Sequence, residues 1–180
     1  MRSGWNDWYH VVVSSYGSWL PGDRRGWRTQ KHRRDVPGDY RNPPPEEFGQ
    51  GLRRHISRLD IQATILNGPQ RRQVGCWMLE SFAHQDIEIL ALATGGEHCH
   101  LLGRFRPCTT VRMKTGLAKW HASRNWGKQY PDHKLWARYC HVVPIRNREH
   151  QVHVVGYILA HADSGAWCWS FRDSPPELSQ

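Results

Sequence analysis

His98 and His100 stand two residues apart in Gly95-Gly96-Glu97-His98-Cys99-His100-Leu101-Leu102-Gly103-Arg104-Phe105, a segment that reads as a strand. Side chains alternate along a strand, so both imidazoles project from one face while Cys99 and Leu101 project from the other. Two imidazoles on one rigid strand are half of a divalent metal site. Tyr157 and His161 are four apart in a predicted helix, which brings a phenol and a third ligand onto one helical flank. Imidazole nitrogen suits Mn, Co, Ni and Zn, whereas Mg prefers oxygen, and three nitrogen ligands leave positions for phosphate oxygens and water. A metal beside a tyrosine on a strongly basic chain points to chemistry on a phosphodiester.

The elements that must position these groups follow from the pattern of apolar residues and breakers. Trp8 to Tyr16 is rich in β-branched and aromatic residues and predicts a first strand. From about 20 to 50 the chain is rich in Gly, Pro, Arg and Asp and passes through Pro43-Pro44-Pro45, which predicts an irregular insertion. Gly51 to Asp60 predicts a short basic helix, and Ile61 to Leu66 either an extra strand or an extended connection. Pro69 suits a first helical turn, and Val74, Trp77, Met78 and Phe82 continue a helix that ends before Asp86. Ile87 to Thr94 and His98 to Phe105 form a predicted hairpin across Gly95-Gly96. Thr109 or Thr110 would cap a helix to about Arg124, Arg138 to Ile145 is a fourth strand, and a last helix runs from Arg148 to Asp163 before Ser164-Gly165. In that helix Val152, Val155, Ile158, Leu159 and Ala162 form the stripe expected to face the sheet, with His150, His153, Tyr157 and His161 on the neighbouring flank. The order of elements predicts an α+β, ferredoxin-like split βαβ antiparallel sheet with an added C-terminal helix.

A length of 180 residues predicts one domain carrying the insertion, 1–180 in all. Twenty-five Lys and Arg against 16 Asp and Glu favour an anionic partner, nucleic acid first. Ten tryptophans, among them Trp5, Trp8, Trp19, Trp27, Trp120 and Trp126, offer flat faces among the cations on which unpaired bases could stack, although most are expected in the core. Five widely spaced cysteines without a CxxC pair argue against a structural zinc site and for a reducing compartment. No apolar run is long enough for a signal peptide or a membrane span, so a cytoplasmic protein with no membrane partner is expected.

His98-Cys99-His100 resembles the histidine, bulky residue, histidine signature of HUH nucleases. Tyr157-Ile158-Leu159-Ala160-His161 resembles the single-tyrosine helix of the HUH transposases, and within them the chain is similar to REP-associated tyrosine transposases and their insertion-sequence relatives. Trp8-Tyr9-His10-Val11-Val12-Val13 resembles their first strand, and Gly165-Ala166-Trp167 continues their closing motif. The resemblance spans about residues 8 to 20 and then Pro69 to Trp169. It implies cleavage and transfer of single-stranded, hairpin-containing DNA through a covalent 5'-phosphotyrosine, as in DNA transposition. Tyr157 would be the nucleophile and His98, His100 and His161 the ligands of a divalent metal, Mg or Mn, with His153 a competing ligand. Such transposases often work as homodimers, so a second copy is among the implied partners. Arg104, on the histidine strand, and Lys114 and Lys119, on the following helix, are the expected DNA contacts. Two other functions fit the same residues: a non-catalytic nucleic-acid-binding module, and a metal-dependent phosphodiesterase that uses water.

Overall fold

The computed structural model describes residues 3–18, 20, 50–58 and 61–173, so nearly all of the predicted insertion lies outside the described residues. The chain divides into two compact units, one of residues 1–16 with 64–180 and one of 17–63. The described part of the smaller unit contains helix α1 (Gln50–Arg58), where a short basic helix is expected.

In the larger unit, strand β1 (Trp8–Ser15) is followed by α2 (Gly68–Ala83), the hairpin β2 (Glu88–Thr94) and β3 (His98–Arg104), α3 (Val111–Gln129), β4 (Trp136–Pro144), α4 (Arg148–Leu159) and β5 (Trp167–Ser170). The strands form one antiparallel sheet in the order β4-β1-β3-β2-β5. Its first four members have the expected ferredoxin-like arrangement, and β5 adds an unpredicted fifth strand on the edge of β2. Residues 61–67 take the second of the two alternatives, an extended connection, tied by Thr64 N–H to the Tyr16 carbonyl and by Leu66 N–H to that of Gly96 (both 2.8 Å).

Local chemistry explains where the helices begin. Asn67 accepts from the Gln70 N–H while the Gln70 side chain accepts from the Asn67 N–H, a reciprocal cap that starts α2 with Pro69 in its first turn. Asn147 accepts from the His150 N–H at 2.8 Å and starts α4. The cap expected of Thr110 is not made. It stands at the N-cap position of α3, but its hydroxyl donates back to the Pro107 carbonyl at 2.8 Å.

Two cores cover the two faces of the sheet. On one, Tyr9, Val11, Val13, Cys99 and Leu101 pack with Val74, Met78 and Phe82 of α2 and Ala118 and Ala122 of α3. On the other, Trp8, Ala91, Ala93 and Leu102 pack with Val154 and Ile158 of α4. The stripe predicted for α4 is therefore displaced. Gln151, Val154 and Ile158 are its buried residues, and Val152 is 57% exposed. Ile158, Val155 and Leu159 of the predicted stripe do pack against this core, and at 100° per residue the buried set is centred about a fifth of a turn from the predicted one, toward the flank that carries Tyr157. Apolar residues at 152, 154, 155 and 158 surround much of the helix, so their pattern does not fix which side meets the sheet.

Candidate metal and nucleophile site

The alternation of β3 puts His98, His100 and Leu102 on the α4 face of the sheet, with Cys99 and Leu101 in the opposite core. The final helix is not continuous to 163 as expected. After Leu159 it tightens into a 3-10 turn, Ala160–Ser164, which Gly165 ends in the left-handed conformation (φ 77°) that glycine adopts without a Cβ penalty. His161 lies in that tightened turn, and its Nδ1–H donates to the Tyr157 carbonyl at 2.9 Å. A carbonyl can only accept, so this contact requires a proton on Nδ1, and the tautomer that makes it carries its lone pair on Nε2.

These elements converge. His98, His100 and His161 each offer a ring nitrogen, and the three nitrogens lie within 4.8 Å of one another. Ring centroids are 4.7 Å apart for His98 and His100, 4.5 Å for His100 and His161, and 5.7 Å for His98 and His161. The Tyr157 ring stands edge-on to His161 at 4.8 Å and to His100 at 5.5 Å, and the residue is 47% exposed. A phenol open to solvent thus stands beside three clustered imidazoles. His153, the competing ligand, is exposed and outside the cluster.

Burial and crowding disfavour a charge on the two strand histidines. His100 is pushed down to about 3, first by burial and then by the repulsion its charge would meet from His98, His10 and His161. His98 is lowered by burial and by His161, against the opposing pull of Glu97. A neutral imidazole is the form that ligates a metal, so the cluster suits a divalent ion: nitrogen donors, no proton to displace at neutral pH from His100, and two rings, His98 and His161, that are only partly buried.

A fourth histidine belongs to the same face and was not among the predicted site residues. His10 of β1 is pushed down to about 4 by burial first, then by His141, His150 and His161. Its ring stacks on His100 with centroids 5.2 Å apart, stands 5.9 Å from the Tyr157 ring, and places Nε2 3.0 Å from His100 Nδ1. A histidine among the aromatic and β-branched residues that open β1 is the available signal.

The expected DNA contacts fall on both faces. Arg104, at the far end of β3, donates from Nε to the Asn6 carbonyl at 3.1 Å, pairs with Glu88 at 3.4 Å and lies over the Trp8 ring. Lys114 and Lys119 belong to α3, across the sheet from the histidines. Lys119 Nζ donates to the carbonyls of Ala137 and Arg138 (2.6 and 3.0 Å) and helps line a cleft of about 280 Å³ with Arg112 and Arg138. Of the tryptophans, Trp8 and Trp126 are core residues, whereas Trp120 is 60% exposed. No helix among the described residues is long and apolar enough to cross a membrane.

No protein-family model and no curated protein sequence matches the chain. Solved structures similar to it include a REP-associated tyrosine transposase bound to a REP hairpin, at 15% identity over 92% of this chain and 73% of that one, with a TM-score of 0.48. A second is a Deinococcus radiodurans protein described provisionally as a transposase, at 15% identity over 89% of this chain and 97% of that one, with a TM-score of 0.41.

Proposed function

We propose that the chain is a metal-dependent DNA strand transferase that cleaves single-stranded DNA with Tyr157 and holds the cut end covalently. The observation that carries this reading is the convergence of His98, His100 and His161 within 4.8 Å, with the Tyr157 ring against two of them. Hairpin-containing DNA of the kind handled by transposases is the expected substrate, as the motif resemblance implies.

The phenol is the group that reacts. Tyr157 Oη attacks the scissile phosphorus and gives up its proton to solvent, the new Oη–P bond forms as the P–O3' bond breaks, and the departing O3' takes up a proton from solvent, so that no net proton is gained or lost. Because the phosphodiester is exchanged for another phosphodiester, the 5'-phosphotyrosine retains the bond energy and a second 3'-hydroxyl can reverse the step without ATP. His98, His100 and His161 would hold a divalent ion, which would supply Lewis-acid stabilisation of the charge that builds on the non-bridging oxygens. The nitrogen-only donor set favours manganese over magnesium. His98 and His100 are fixed on a central strand and His161 on a turn closed by Gly165, so the ligands are held in place before substrate arrives. Arg104, on the same sheet face, is proposed to contact a phosphate. Lys114 and Lys119 would serve DNA that reaches the α3 face.

The test is direct. Purified protein, manganese and labelled single-stranded DNA flanking its own gene should yield a protein-linked oligonucleotide on a denaturing gel, lost on addition of EDTA and in Tyr157→Phe. An adduct that persists in Tyr157→Phe would remove this residue from its role. Cut products without any protein linkage would identify water as the nucleophile instead.

A further inference from the structure

We infer that His10 is a positioning residue for the metal site: it accepts a hydrogen bond from His100 Nδ1–H and so directs His100 Nε2 at the ion. This rests on the metal-site reading above and deepens it.

The geometry begins with sheet register. In the β1–β3 pair His10 lies opposite Leu102 and Val12 opposite His100, so His10 and His100 are diagonal neighbours on one face. Their rings are nearly parallel, 24° apart, and the Nε2 to Nδ1 distance is 3.0 Å. One hydrogen occupies that contact, and its owner decides what the other side of His100 can do. With the hydrogen on His100 Nδ1, the His100 lone pair is on Nε2 and can ligate. With the hydrogen on His10 Nε2, neutral His100 must carry its own proton on Nε2, where it blocks an ion.

His161 has the same requirement and meets it with the Tyr157 carbonyl, which fixes its Nδ1–H tautomer. His100 is 6% exposed and takes its outer partner from a side chain on the neighbouring strand. Metal-binding histidines usually donate their second ring N–H to such a partner, which fixes ring orientation and increases ligand basicity. His10 is the group that does so here. It is not in the metal-ligand cluster itself, and its Nε2 is already committed to His100.

Two substitutions separate hydrogen bonding from packing. His10→Phe keeps a flat ring and removes the acceptor, whereas His10→Gln keeps an acceptor oxygen. Titration of the chelator-treated full chain with cobalt(II), read by its visible absorption, and with manganese(II), read by calorimetry, should show roughly 10–100-fold weaker binding in His10→Phe. His10→Gln should recover most of that loss. Nitrogen-15 NMR of the metal-free wild type should find the His100 proton on Nδ1, and in His10→Phe it should move toward Nε2.

Equal metal affinity in wild type and His10→Phe would overturn the inference and leave the metal site standing. So would a His100 proton on Nε2 in the wild type, a measurement that needs no variant to fold. A wild type that binds neither ion would instead sink the metal-site reading, while the tautomer measurement would still decide whether His10 accepts from His100.

Discussion

Acid should weaken the metal-free fold more than its carboxylates alone require, and His10 supplies much of the effect. In the folded chain its imidazole is held near pH 4, against an ordinary 6.5 in the unfolded chain, because burial and the facing His141, His150 and His161 disfavour its charge. Between those two values the unfolded chain binds a proton that the folded chain does not. Stability therefore rises with pH across the window and falls as pH drops from 6.5 toward 4. Going from pH 7 to pH 4.5, one group lowered to about 4 forfeits about 2.4 kcal/mol. His100, lowered to about 3, changes stability in the same direction. A charge on either ring opposes a charge on the other, so their two losses do not add. The assay is urea unfolding in EDTA at both pH values for wild type and His10→Phe, with unchanged slopes as the condition for comparing them. Wild type should lose about 2 kcal/mol more than the variant on acidification. Equal losses, or a wild type that gains stability in acid, would refute the claim that His10 is buried uncharged among these neighbours.

Saturating manganese at about 100 times its dissociation constant should stabilise the wild type by about 2.7 kcal/mol, seen as a raised melting temperature, and His100→Ala should abolish the increment. Gly75→Ala should destabilise the fold by at least about 1–3 kcal/mol in thermal or urea unfolding, because an added Cβ would run into the Trp167 ring and come within 3.0 Å of Thr94 Oγ1, leaving β5 no room to dock. Gly156→Ala tests the opposite case: apart from its chain neighbours and the backbone of α4 itself, no atom lies within 4 Å of the added Cβ, so the exchange should raise stability by about 0.5–1 kcal/mol through helix propensity and leave adduct formation by the adjacent Tyr157 intact.

What was legible in the sequence was what local periodicity encodes. Alternation alone put His98 and His100 on one side of a strand, and the four-residue spacing alone put Tyr157 beside His161; both hold in the structure. The orientation of α4 was not legible, because valines at 152, 154 and 155 offer the sheet comparable apolar surface from different sides, and the choice of Val154 is made by packing against Trp8, Ala91, Ala93 and Leu102. β5 is not legible for a related reason: Trp167-Cys168-Trp169-Ser170 is too short to show a period, and it becomes a strand by pairing with β2. His10 is the instructive omission. Its pairing with His100 depends on the register between β1 and β3, separated by about 90 residues of chain, and no local pattern contains that information. What sets the register is the other side of the same strand. A slip by one residue would withdraw Tyr9, Val11 and Val13 from the core they share with α2 and α3 and expose them on the α4 face. All three are fully buried, so at about 1.5–3 kcal/mol for each large side chain the slip is prohibitive. The apolar face of β1 therefore determines which imidazole His10 meets on the polar one, and packing on one side of the sheet fixes the geometry of the candidate metal site on the other.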